Sequence, residues 1–327
     1  MKAIIFNKYG PPEIMKLEEI DKPSPKDNEV LIRVHAAAVT STDPDFRNGG
    51  VRFITGMIKP KSNIPGTDFA GQIETVGKDV TLFKKDDRVY GTLLPTTGTT
   101  AEYICMAEDR TLVVMPDNIS YDKAAAFVDG GITALPFLRE KGDIQSGQKV
   151  LVYGASGSIG TAAVQIAKSY GTEVTGVCSS SNIDMVKSIG ADQVVDYTKE
   201  DYTKNGKTYD IIFDTVAKSS FSRCKSSLNK GGIYLTTMPN PISMLQLLWT
   251  SKIGSKKVKF AATGLRKPGK KVIDLNFLND LLENGKINPV IDKIYPMNRI
   301  AEAHEYVAKK HKKGNVVIDI DVVPTSI

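Results

Sequence analysis

The residues whose types and spacing carry the plainest chemistry are Gly154-Ala155-Ser156-Gly157-Ser158-Ile159-Gly160. Gly157 leaves room for a backbone to approach a diphosphate, and Gly160 lets a following helix pack close. The amides at Ser158 and Ile159 lie where a helix would begin and point toward the phosphates. Ala155 stands where such turns usually carry their first glycine. The chemistry served is dinucleotide binding, against the plainer reading of a structural tight turn. The next strand pattern, residues 173–178, ends on Cys178-Ser179-Ser180-Ser181-Asn182, where an NAD site would place Asp or Glu on the ribose hydroxyls. Without that carboxylate, the hydroxyls of Ser179 and Ser180 and the amide of Asn182 are donors for a 2′-phosphate, so NADPH is the expected cofactor. A second reading makes the same residues the N-cap cluster of a helix over residues 183–189, and Asn182 can serve both.

Such a turn needs a strand before it and a helix after it. Residues 150–153 (VLVY) are a continuous apolar run, as in a strand buried on both faces, and residues 161–169 have helical spacing. Residues 1–118 read as β-rich, with strands at 29–35, 69–76, 88–91 and 99–106. Helices follow at 122–127 and 133–140. Strands at 173–178, 193–195, 210–214, 233–237 and 258–262 then alternate with helices, the pattern of a doubly wound parallel sheet. Helices at 272–283 and 300–309 and a strand at 315–320 make a tail too short to fold alone, expected to return to the first domain.

The composition, 41% hydrophobic and 24% charged in 327 residues, is that of an ordinary globular protein and excludes a disordered chain. Three cysteines without a C-x-x-C exclude a disulfide framework and a zinc ribbon, and fit a reducing cytoplasm. The N-terminus has no apolar signal core, and no window is long enough to span a membrane. The net charge of +6 is spread over lysine runs that lack interleaved aromatics, so a nucleic-acid partner is not expected. Residues 242–249 (ISMLQLLW) leave three readings open: a core helix, a wall of the acceptor pocket, or a dimer contact.

Along nearly its whole length the chain resembles the medium-chain dehydrogenase/reductase superfamily, and within it the zinc-free quinone oxidoreductase branch that includes zeta-crystallin, alkenal reductases and the reticulon-interacting mitochondrial proteins. The matching strings are Asp43-x-x-x-Arg47-x-Gly49, Pro65-Gly66-Thr67-Asp68-Phe69-Ala70-Gly71, Gly131-Ile132-Thr133-Ala134 and the turn from Ala155 to Gly160. Further on come Gly190-Ala191-Asp192 with Asp196-Tyr197, Phe213-Asp214-Thr215-Val216, Asn288-Pro289-Val290-Ile291-Asp292 and His311-Lys312-x-Gly314-Asn315-Val316-Val317. The resemblance implies an α/β fold: a doubly wound parallel Rossmann sheet inserted into a β-rich GroES-like catalytic domain. The catalytic domain would hold residues 1–118 and 267–327, the NADP-binding domain residues 119–266. Two such chains are expected to form a homodimer.

The resemblance also implies roles. The catalytic zinc of the superfamily's alcohol dehydrogenases is held by Cys and His at positions that fall here on Thr40 and Thr67, so no metal is expected. Without zinc to stabilise an alkoxide, the acceptor must delocalise the charge of the hydride, which quinones and α,β-unsaturated carbonyls do. Thr40 is a candidate to bond the substrate oxygen, with a strand-end cap as its plainer role. Asp45 is the second catalytic candidate, at a place where some quinone reductases carry tyrosine. Asp43 and Arg47 are expected to form an ion pair. Thr133 would approach the nicotinamide ribose or the phosphates, Tyr197 the 2′-phosphate, Thr215 and Val216 the sugar edge and Asn315 the nicotinamide end.

Overall fold

A computed structural model of the chain describes residues 1–321. They form two compact units. One comprises Met1–Asp129, Gly264–Glu283 and the chain from Pro289 onward; the other comprises Gly130–Thr263 and Asn284–Asn288.

The first unit is built on strands β1 (Lys2–Ile5), β2 (Lys16–Glu19), β3 (Glu29–Val39), β4 (Asp68–Val76), β5 (Arg88–Thr92), β6 (Tyr103–Ala107) and β7 (Thr111–Val114), with the short helices α1 (Asp43–Asn48) and α2 (Arg52–Thr55) after β3. The 16-residue helix α3 (Tyr121–Pro136) then crosses from this unit into the next.

The second unit carries β8 (Lys149–Tyr153), α4 (Ser158–Ser169), β9 (Glu173–Cys178), α5 (Ile183–Ser188), β10 (Gln193–Asp196), β11 (Tyr209–Asp214), α6 (Phe221–Cys224), β12 (Leu228–Thr236), α7 (Pro241–Lys252) and β13 (Lys257–Lys259). Helices α8 (Pro268–Glu283) and α9 (Ile300–Ala308) and strands β14 (Ile291–Pro296) and β15 (Asn315–Asp319) belong to the tail.

The tail joins the first unit, where β15 pairs antiparallel with β3 and parallel with β14. The resulting seven-stranded sheet runs β14-β15-β3-β4-β5-β7, with β6 also on β3. Alternation along β3 decides which face is covered, since Val30, Ile32 and Val34 enter the core and Arg33 faces water.

The sheet of the second unit is parallel throughout in the order β10-β9-β8-β11-β12-β13, so the direction of winding reverses between β8 and β11. Crevices at such a reversal, outside the carboxyl ends of the strands, are where ligands bind. Val150, Leu151 and Val152 are fully buried, which is what the unbroken apolar run predicted.

Two expectations are corrected. The helices expected at 122–127 and 133–140 are one helix, α3, followed by a π-helical turn at Phe137–Lys141. Gly130 does not end it: a Cβ there would come within 2.8 Å of the Ser158 carbonyl oxygen, so the glycine lets α3 pack against the start of α4. Residues 242–249 are helical, within α7, but they are not core. Ile242, Leu245, Leu248 and Trp249 are all at least 60% exposed. Among the described residues no helix is long and apolar enough to cross a membrane.

Candidate functional site

In the second unit β8 ends at Tyr153 and the chain turns at Gly154, whose φ of +83° favours glycine. A side chain there would also strike Val216 and Thr215, which close over the turn. Thr215 is tied down by its hydroxyl, which donates to the Tyr153 carbonyl at 2.9 Å. The buried Asp214 holds the loop behind it, accepting from the amides of Val216 (3.1 Å) and Ser219 (2.8 Å) and from the Tyr234 hydroxyl (3.0 Å). Sequence reasoning gave Asp214 no role, although its place at the end of an apolar strand was a signal.

Gly157 caps α4 without a side-chain bond, so no side chain competes for the first amides of the helix. A Cβ on Gly157 would meet only the Gly154 carbonyl oxygen, at 3.6 Å, whereas one on Gly160 would lie 2.0 Å from that same atom. Gly157 therefore leaves open approach, and Gly160 permits contact. The Ser158 hydroxyl is buried and meets no partner in the protein. An orphaned donor beside free helix-start amides fits a phosphate anion. Ala155 shapes the turn from within: it is fully buried, and its amide donates to the Val177 carbonyl. Thr133 is largely buried one turn beyond Gly130 on α3, the segment that packs on α4.

The loop after β9 is drawn to the turn. Asn182 occupies the N-cap position of α5 but makes no capping bond; its Nδ2 donates instead to Ser156 Oγ (3.1 Å) and Ser179 Oγ (3.2 Å). Ser180 is differently placed from expectation, because its hydroxyl donates to the carboxylate of Asp196. Tyr197, about half exposed, lines a cavity of about 220 Å³ together with Tyr153, Lys199 and Arg223.

In the first unit Thr40 follows β3 directly. Its hydroxyl donates to Asp43 Oδ2 at 2.7 Å, and its amide donates to the same oxygen at 2.6 Å. Burial pushes the Asp43 carboxyl up to about 6, against the pull of those two bonds; Asp129 adds to the rise and Lys312 opposes it. Lys312 is itself buried, donates to the Gly314 carbonyl at 2.7 Å, and is lowered to about 8 by loss of solvent, against the carboxylates of Asp129, Asp292 and Asp43.

The expected Asp43–Arg47 pair does not form. Arg47 Nε donates to the Gly10 carbonyl at 3.1 Å, and Arg47 Nη1 and Asp43 Oδ1 are buried without partners. Asp45 points to solvent from α1 and is not brought to Thr40 by any bond. The side-chain amide of Asn315 donates to the Val290 carbonyl at 3.1 Å.

The donors near Thr40 do not suit zinc. Thr67 is buried, and its hydroxyl makes no bond at full hydrogen-bond geometry. Asp68, fully buried, is raised well above the ordinary carboxylate range by desolvation, with Asp129 and Asp43 adding to the push and the hydroxyls of Thr92 and Thr67 countering it. Neither of its oxygens meets a donor at full hydrogen-bond geometry. Tetrahedral zinc takes thiolate, imidazole or ionised carboxylate, not two hydroxyls beside a carboxyl whose charged form burial disfavours. Among the described residues no three His, Cys, Asp or Glu side chains gather to hold a metal.

Comparison with known proteins places these features. Residues 26–117 match the family described as alcohol dehydrogenase GroES-like domain, and residues 189–318 the family described as zinc-binding dehydrogenase. The chain is 33% identical over 324 residues to the quinone oxidoreductase of Sus scrofa, covering 96% of this chain and 95% of that one. The solved quinone oxidoreductase of Coxiella burnetii superposes with a TM-score of 0.86 at 27% identity, covering 98% of this chain and 99% of that one. The Escherichia coli quinone oxidoreductase complexed with NADPH shares the fold, with a TM-score of 0.82 at 23% identity over 98% of this chain and all of the other.

Proposed function

We propose that this chain, which belongs to the zinc-free quinone oxidoreductase branch of the medium-chain dehydrogenase/reductase superfamily, reduces a quinone or an α,β-unsaturated carbonyl with NADPH and without a catalytic zinc. Membership makes it an oxidoreductase that uses a nicotinamide cofactor. The observation that carries the finer reading is the donor set at Thr40 and Thr67, two hydroxyls where the superfamily's alcohol dehydrogenases hold zinc.

NADPH, when bound, supplies the hydride. The residues of the chain then have separate tasks. The amides at Ser158 and Ile159 and the orphaned Ser158 hydroxyl would hold the diphosphate, with Gly157 leaving room for its approach. Thr133, Thr215 and Val216 flank it. Ser179, Asn182 and Tyr197 border the 2′-phosphate, and Asn315 the nicotinamide end. Thr40 holds the acceptor oxygen and passes it a proton drawn from Asp43. A metal would contribute several kcal/mol by stabilising an alkoxide. With only a hydroxyl in its place, the acceptor must spread the new charge itself, as a quinolate or an enolate does.

The test is NADPH oxidation by chelator-treated protein against a benzoquinone, a short alkenal and a simple aldehyde. Turnover of the quinone or the alkenal but not of the aldehyde is expected, unchanged by chelation. Turnover of the aldehyde that disappears on chelation would overturn the reading.

The homodimer belongs to the same proposal and rests on the second unit. Among the described residues strand β13 ends the parallel sheet with its outer edge unpaired, and α7, which packs on β13, turns Ile242, Leu245, Leu248 and Trp249 outward.

A further inference from the structure

Taking NADPH binding as the premise, we infer that Asp196 is the residue that limits this protein's preference for NADPH over NADH. The loop after β9 has no carboxylate of its own, and that absence pointed to NADPH. Strand pairing supplies one from the neighbouring strand: β10 runs parallel to β9 with Asp196 opposite Cys178, the last residue of β9. The Ser180 hydroxyl, the nearest donor on the loop, is spent on Asp196 Oδ2. Thr198 fixes Oδ1 through its hydroxyl at 2.7 Å and its amide at 3.0 Å. The side chain of Asp196 is only 8% exposed. These bonds, the Ser180 hydroxyl first, hold its carboxyl below the ordinary range, so it is ionised at neutral pH.

The cations nearby are already engaged. Lys199 Nζ lies 3.8 Å from Asp196 Oδ2, and Arg223 pairs with Asp201 at 3.1 Å; both cations line the cavity beside Tyr197. A 2′-phosphate arriving at Ser180 therefore meets an oxygen whose hydrogen is committed, a fixed negative charge one bond behind it, and a lysine already drawn to within 3.8 Å of that charge. A ribose 2′-hydroxyl at the same place meets no repulsion and finds an acceptor. Replacing Asp196 by Asn keeps the size and an acceptor oxygen, removes the charge and releases Lys199.

Isothermal titration of wild type and Asp196→Asn with NADPH and with NADH tests this, alongside adenosine 2′,5′-bisphosphate and AMP, which carry the discriminating phosphate without the nicotinamide. The ratio of NADPH to NADH affinity is expected to rise on the order of tenfold in the variant, chiefly by tighter NADPH binding, and the bisphosphate-to-AMP ratio to rise with it. Asp196→Ser, which keeps a hydroxyl to accept from Thr198, should move both ratios the same way. Unchanged ratios, or an equal loss for every ligand, would reduce Asp196 to a cap of its own loop and overturn the inference. A wild type that binds neither dinucleotide would instead remove the cofactor reading, and this inference with it.

Discussion

Thr40 and Asp43 are joined by a hydrogen bond, and in the proposed mechanism its direction decides whether Thr40 can act. As placed, the Thr40 hydroxyl donates to Asp43 and keeps no hydrogen for an acceptor. When Asp43 is protonated the bond reverses, the carboxyl donates to Thr40 Oγ1, and the Thr40 hydrogen is freed for the substrate. Burial raises the Asp43 carboxyl to about 6, so the competent form dominates below that pH and is lost as pH rises through it. With quinone or enone as acceptor, kcat should therefore be highest below about pH 6 and decline above it, and Asp43→Asn should flatten that decline. Thr40→Val should lower kcat by on the order of a hundredfold with NADPH affinity unchanged, and Thr40→Ser should restore most of it. An unchanged kcat/KM in Thr40→Val would remove the residue from the mechanism. Only the resemblance pointed to Thr40, and Asp43, its actual partner, was expected to pair with Arg47. The four-residue spacing of Asp43 and Arg47 reads as a helical ion pair, but Asp43 is the first residue of α1, and there the local bond back to Thr40 prevails.

The strand–turn–helix element shows what spacing reveals and what it leaves out. The apolar run of β8, the small residues and the helix behind them were all legible, as was the alternation that orders the parallel sheet. The division of labour among the glycines was not, since it depends on which atoms the fold brings near each one. It gives a paired prediction. Gly160→Ala forces a Cβ against the Gly154 carbonyl oxygen, 2.0 Å away, and should destabilise the protein by about 3 kcal/mol or more in denaturant unfolding. Gly157 has extended backbone and an open approach, so Gly157→Ala should leave the unfolding midpoint unchanged while weakening NADPH binding by about tenfold. Equal effects of the two on stability would mean that the turn is merely a structural corner. Two other features were hidden for the same reason. Gly130 falls between the two helices read at 122–127 and 133–140 and proves to be a packing point, and Asp196 reaches the loop after β9 only because β10 pairs beside it in that register.

For the molecule as a whole, the unexplained surface is α7, whose polarity is reversed. Its inward positions include Gln246, bonded to Ser222, and Thr250, which accepts from the Val258 amide, while Ile242, Leu245, Leu248 and Trp249 face outward. The sequence left a core helix, a pocket wall and a dimer contact open for these residues, because apolar spacing does not say what covers them. A second copy meeting this face and the free edge of β13 would cover both. No acidic residue lies between Asp214 and Asp274, so two such faces bring like charges together, and their association should tighten as salt screens the repulsion. Docking to an anionic bilayer, the competing occupant of a basic apolar face, would weaken with salt instead. Sedimentation of wild type at low and high salt should give a dimer whose dissociation constant falls as salt rises. Leu245→Glu with Leu248→Glu, both at exposed positions, should give a monomer with unchanged circular dichroism. A wild type that stays monomeric at every salt concentration, yet floats with anionic vesicles at low salt, would transfer the face to the membrane.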